Sequence, residues 1–393
     1  MQAPNRLINP EPAVLNSIEL PTVALVRRHE EATESLAAHL TRLLDLPDLD
    51  AELDRDVGLE ERMLQMARDL ARTAYPAERT TDRHTDPWID HTARSEFHRA
   101  LLVLYKQHVQ IPAAGASPSG ARTGGFEHSY QFHPFCSRLQ RELEKPWEDD
   151  VLRRVHHSRR VSPEHLPGDP GEFAKWYQLT AFGHLLYEHD LYAFLASDAT
   201  RSQLEWFLKM ECAGEAAFDD LVALAQVGTR GEVKMEMASN YWDEMGRGKP
   251  QAVHTHLFHQ LIKDLNIPAP DAGELPWEVL SGINLMIWSC IHRRNAFRAQ
   301  GVLGAVELLA PQRCTRVVHG ATRLGISKKT VVYYGAHAII DIGHAEGWLT
   351  HVIEAQVREL PEARLGIAEG LLARADASLD YFDYCLGAAK LVN

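Results

Sequence analysis

Helical periodicity runs almost unbroken through this chain and limits what it can fold into more than any other feature. Apolar residues recur at i, i+3/i+4 and i+7 in SIELPTVALVRRHEEATESLAAHLTRLLDL and GLEERMLQMARDLARTA, which predicts helices within residues 14–75. After a polar, turn-rich stretch at 75–90 the pattern resumes over 95–109. From residue 126 onward helix follows helix, through FAKWYQLTAFGHLLYEHDLYAFLAS, EVLSGINLMIWSCIHRRNAFRAQGVLGAVELLA and KTVVYYGAHAIIDIGHAEGWLTHVIEAQVREL. GRGKP at 246–250, PAP at 268–270 and Gly325 mark the breaks. Strand alternation is nearly absent, so the expected class is all-α.

One stretch is of low complexity: IPAAGASPSGARTGG, residues 111–125. It predicts a boundary between a smaller helical N-terminal region, 1–125, and a larger domain, 126–393. A long loop inside one domain is the alternative.

Charge and cysteine usage narrow the partners. A formal charge of −13 argues against nucleic acid and anionic membrane surfaces, since both need basic patches. The apolar run at 283–291 is too short to span a bilayer. Five cysteines, none in a CxxC, suit a reducing compartment, and the first residues lack the apolar stretch of a signal peptide. A cytoplasmic protein is expected.

Histidine is abundant, with 21 copies, and a few stand at spacings that need explaining. In HAIIDIGH, residues 337–344, positions i, i+4 and i+7 fall within about 60° on one helix face. His337, Asp341 and His344 therefore form one stripe. The residues between them are apolar, so this helix is expected to be packed on several sides. Buried ionisable groups are costly unless paired or metal-bound, and two His with a carboxylate are a natural ligand set for Fe(II). The plain alternative is a core His pair hydrogen-bonded to the Asp. In DEMGRGKPQAVH, Glu244 ends one helix and His254 opens the next; a surface Glu and an incidental His are the alternative. Glu307 is a lone acid in the apolar run GVLGAVELLAP, unless it snorkels to the surface. Glu211 and Glu215 lie one turn apart and could instead belong to an exposed acidic face. Together these segments offer the inventory of a carboxylate-rich two-iron site in a helical bundle, although the Glu-x-x-His pairs of ferritin-like proteins are missing.

Over roughly residues 175–360 the sequence resembles the haem-oxygenase-like di-iron oxidases and oxygenases, the iron-containing redox enzymes. HAIIDIGH is similar to that family's final metal helix, and NYWDEMGRGKPQAVHTHLF to its acid–loop–His segment. The resemblance implies a seven-helix, haem-oxygenase-like domain with metal ligands Glu215, Glu244, His254, Glu307, His337, Asp341 and His344. Glu211 is the other register for the early acid. It also implies two Fe(II)/Fe(III) ions, dioxygen as co-substrate, and a peroxo-di-iron(III) intermediate. The expected chemistry is N-oxygenation, desaturation or oxidative C–C cleavage of a small metabolite. No catalytic residue beyond the metal ligands is expected, and haem is disfavoured because acids fill the space it would take. A homodimer and an external electron donor remain open as partners.

Three other readings stay in view. A mononuclear Fe(II) oxygenase would use only His337, Asp341 and His344. A metal-free helical binding or scaffold protein would use none of them. A pocket protein with a nucleophilic cysteine would need a suitable thiol, and Cys212, between Glu211 and Glu215, comes nearest. Tyr241, Trp242, Tyr333, Tyr334 and Trp348 are candidates to line a pocket. His292, Arg293 and Arg294 read as a solvated basic turn before they read as a carboxylate site.

Overall fold

The computed structural model describes residues 35–77, 89–110, 130–159, 161–183, 186–215, 218–270 and 273–392. Among them every regular element is a helix, as the periodicity requires. In chain order these are α1 (Leu36–Leu44), α2 (Leu49–Arg55), α3 (Leu59–Ala74), α4 (His91–Val109), α5 (Pro134–Arg159), α6 (Pro170–Gly183), α7 (Asp190–Ser197) and α8 (Arg201–Glu215). There follow α9 (Phe218–Ala225), α10 (Gly231–Glu244), α11 (His254–Asp264), α12 (Trp277–Ile291), α13 (Ala296–Arg323) and α14 (Val332–Gly347). A π-helical turn, Trp348–Glu354, leads into α15 (Ala355–Glu359), and α16 (Ala363–Ala389) closes the fold. The side chains of Ser35, Asp48 and Asp90 accept from backbone N–H groups in the first turns of α1, α2 and α4 and fix where those helices start.

The core is organised on α12 and α13. Every residue of α12 from Trp277 to Cys290 is buried, so its sequence is mostly apolar on every face, with Glu278, Ser281, Asn284 and Ser289 as the polar exceptions. No described helix is long and apolar enough to cross a membrane. The 28-residue α13 packs against α16, α14 and α7 along its length. Its contact with α16 depends on small residues. A Cβ on Gly301 would run into the carbonyl of Ile367, and one on Gly370 into the carbonyl of Arg298. The two backbones touch where the glycines face each other.

The predicted boundary at 111–125 lies outside the described residues. Helices on its two sides share one hydrophobic core. Asn284 on α12 donates to the His98 carbonyl of α4 at 2.9 Å, and the His98 ring lies 2.6 Å from the Tyr75 hydroxyl. The Arg94 guanidinium sits over the rings of Tyr75 and Trp277. The N-terminal helices thus form one wall of the bundle that holds the site.

Candidate metal centre

Four helices aim polar side chains at one buried point. Glu244 is the last residue of α10, and His254 is the first of α11. Two 3₁₀ turns join them, with Gly246 at φ 60° and Arg247 at φ 53°. A Cβ on Gly246 would strike the backbone of Ala252, so glycine lets the loop fold back on itself. That tight return brings His254 Nδ1 to 2.7 Å from Glu244 Oε2. Glu307 comes from mid-α13, and His337, Asp341 and His344 from one face of α14. All six are buried.

They assemble into two overlapping groups. The ligand atoms of Glu244, His254 and His337 all lie within 4.8 Å of one another, and so do those of Glu244, Glu307 and His344. Glu244 belongs to both. Asp341 adjoins the second group, its Oδ1 lying 3.3 Å from His344 Nδ1, and Glu307 Oε2 is at the same distance from that nitrogen. Glu215 closes α8, but its side chain lies outside the described residues. Glu211, its alternative, points elsewhere: it accepts from the Tyr381 hydroxyl and lies 3.7 Å from Arg313.

Neighbouring groups hold the donors in orientation. His337 Nδ1 donates to the Tyr333 carbonyl at 2.9 Å, which turns Nε2 into the lone-pair nitrogen. His344 Nε2 faces Asp243 Oδ2 at 3.3 Å, and Arg247 grips Asp243 through two hydrogen bonds. Asn240 donates to Glu307 Oε1 at 3.0 Å. Neither Asn240 nor Asp243 stood out in the sequence as a partner of the site. Asn240 lies one turn before Glu244 on the same face of α10, a spacing that could have found it, whereas Asp243 points about 100° away from Glu244 and gives no such signal.

Electrostatics show how poorly the arrangement suits protein atoms alone. Burial pushes Glu244 up to about 8. Burial also raises Asp341 against the pull of His344. Burial opposes charge on His344, yet its hydrogen bonds to Asp341 and Glu307 override that and push it up to about 11. Glu244 Oε1 is buried without a hydrogen-bond partner among the described residues. Three carboxylates and three imidazoles in one dry place are costly unless a cation joins them. Imidazole and carboxylate together fit iron.

A cavity opens from this cluster between α8, α12, α13, α14 and α16, with about 1120 Å³ of empty space including its mouth. Tyr333 and Tyr334 line it as expected. The other aromatic candidates do not: Trp242 is exposed, and Trp348 is fully buried behind α14, donating to the Gln300 carbonyl. The expectation that α14 is packed on several sides also fails. Ile339 and Ile342 are 73% and 60% exposed, so only the ligand-bearing stripe is buried. The basic turn at 292–294 is occupied with internal pairs, His292 on Glu144 and Arg294 on Glu148.

Residues 205–379, from within α8 to within α16, match the family model described as iron-containing redox enzyme. No curated protein matches the chain. The matched segment carries every described side chain of the cluster, and the match supports an iron-dependent oxidoreductase.

Proposed function

We propose that this iron-containing redox enzyme holds two irons and uses them to activate dioxygen against a small molecule bound in the adjoining cavity. One observation carries the reading: two groups of ligand atoms share a single carboxylate, Glu244. A shared carboxylate can bridge two cations. One iron would take His254 and His337, the other His344, Glu307 and Asp341, with Glu215 as a further proposed ligand from α8. The mononuclear alternative fits less well, because His337 and His344 fall in different groups. When bound, the irons supply electrons to dioxygen and oxidising power toward the substrate; an external reductant would restore them.

The protein's own part is positioning and exclusion. The Tyr333 carbonyl fixes the His337 tautomer, and the Arg247–Asp243 pair does the same for His344. Asn240 holds Glu307 by one oxygen, leaving the other for a ligand role. Burial keeps bulk water from the reacting centre. Glu244 and His344 must release protons before they can bind a cation.

Anaerobic Fe(II) loading followed by metal analysis tests this. The wild-type protein is expected to saturate at two irons per chain, His254→Ala and His344→Ala at one each, and Glu244→Ala below one. Saturation of the wild type at a single iron, with His254→Ala unaffected, would overturn the two-metal reading.

A further inference from the structure

The cavity has a second polar end, away from the metal cluster. Arg313 lines it, on the same helix as Glu307 and six residues later, so the two are separated by about 9 Å along the α13 axis. Its side chain is 15% exposed. Nε donates to the Tyr192 hydroxyl at 2.7 Å. The guanidinium carbon lies over the rings of Tyr192 and Phe382, 5.4 and 5.2 Å from their centroids. Those two rings meet edge to face, 5.1 Å apart. Glu211 Oε2 stands 3.7 Å from the fork, and the Tyr381 hydroxyl donates to Oε1 of the same carboxylate. The fork is therefore set in place before any ligand arrives, and a planar, preorganised guanidinium matches a carboxylate.

The wall between the two ends is apolar, formed by Ile283, Met286, Val306 and Ala310. Arg374 brings a second cation to the lining, one turn before Ser378. Two acids, Glu211 and Glu278, share this end. Glu211 is engaged with Tyr381 and Arg313. Burial pushes Glu278 up to about 7, so Glu211 offsets one arginine while Glu278 only partly offsets the other.

We propose that Arg313, braced by Tyr192 and Glu211, anchors the carboxylate of an otherwise apolar substrate at the far end of the cavity, so that the opposite end of the molecule reaches the metal cluster. The chemical class is a carboxylic acid with an apolar body, oxidised at a position remote from the carboxylate. The direction of binding rests on the metal reading above; the anchoring does not.

The probes are octanoate, octanol and octylamine, titrated calorimetrically into the iron-free and the Co(II)-loaded protein. Octanoate is expected to bind about tenfold tighter than octanol, with or without metal. In Arg313→Gln/Glu211→Gln, which removes both charges of the buried pair together, the preference should fall to about twofold or less. Arg313→Lys, which keeps the charge and loses the fork, should lie between. In the Co(II)-loaded protein, ¹³C relaxation should be enhanced most at the octanoate methyl and least at the carboxylate carbon. Tighter binding of octylamine, equal binding of octanoate and octanol, or a preference that survives in the double variant overturns the anchor. Strongest relaxation at the carboxylate carbon reverses the direction. Should the variants fail to fold, the wild-type probe series and the relaxation gradient still decide. Should Co(II) fail to bind, the metal reading falls while the octanoate-to-octanol ratio still tests Arg313.

Discussion

Binding of metal at the site should expel protons, and their number follows from the geometry. Without metal, Glu244 sits at about 8 and His344 at about 11. At pH 7 the first is therefore about nine-tenths protonated and the second fully so. A cation displaces both protons, because a carboxylate and a neutral imidazole are the ligating forms. The expected release is about two protons per chain at pH 7, and the apparent dissociation constant should fall about a hundredfold per pH unit there. Glu244→Gln, which cannot ionise, should release about one fewer. A pH-stat titration with Co(II), or with Fe(II) under anaerobic conditions, counts the base needed to hold the pH. Release below about one proton in the wild type would refute the reasoning, as would an unchanged count in Glu244→Gln. Either result would mean that these buried groups are not the ones the cation displaces.

Four further outcomes are expected. The metal-free protein should lose stability as pH rises. Folded Glu244 and His344 hold protons more tightly than their unfolded values of 4.5 and 6.5, so their contribution is present at low pH and fades as pH climbs through about 8 and then about 11. A urea midpoint that rises from pH 6 to pH 9 would contradict this. Asp243→Asn should weaken one of the two proposed metals by about 10- to 100-fold while sparing the other, since it loosens the brace on His344 alone; equilibrium dialysis with separate binding steps reads this. Gly301→Ala should cost about 1–3 kcal/mol by forcing α13 off α16. Gly387→Ala, on an open part of α16 with nothing near, should be neutral or stabilising; the contrast in urea midpoints checks both.

Helical spacing made much of the site legible. The i, i+4, i+7 pattern of 337–344 placed three side chains on one buried stripe of α14. The acid–loop–His segment read as a helix end, a turn and a helix start, which is how Glu244 and His254 meet. Glu307 was conspicuous because a lone acid in an apolar helix must find a partner, and it is indeed buried. Other features could not be read this way, because they depend on which faces meet. The apolar residues between the ligands suggested that α14 is packed on several sides, whereas Ile339 and Ile342 face outward. Asp243 seemed a mere neighbour of Glu244 until the fold set it against His344, about a hundred residues away in sequence. Nothing in the local pattern of QRCTR shows that Arg313 turns toward Tyr192, 121 positions earlier. Periodicity reports what one helix wants to bury; it is silent on what the neighbouring helix supplies.

The π-helical turn at 348–354 has a consequence for how this protein can change. Such a turn accommodates one more residue than an α-helical turn without a break in the chain. Upstream, the angular phase of α14 is dictated by three side chains that must face the cluster. Downstream, the phase of α15 is dictated by packing, with Gln356 accepting from Gln300 at 2.9 Å. The wider turn absorbs the mismatch between these two demands. Deleting one residue from it would give an ordinary α-helix with Gln356 still in register, whereas a one-residue change elsewhere in α14 or α15 would rotate everything beyond by about 100°. The centre and the bundle around it can therefore drift independently in sequence, so long as the offset between them is kept.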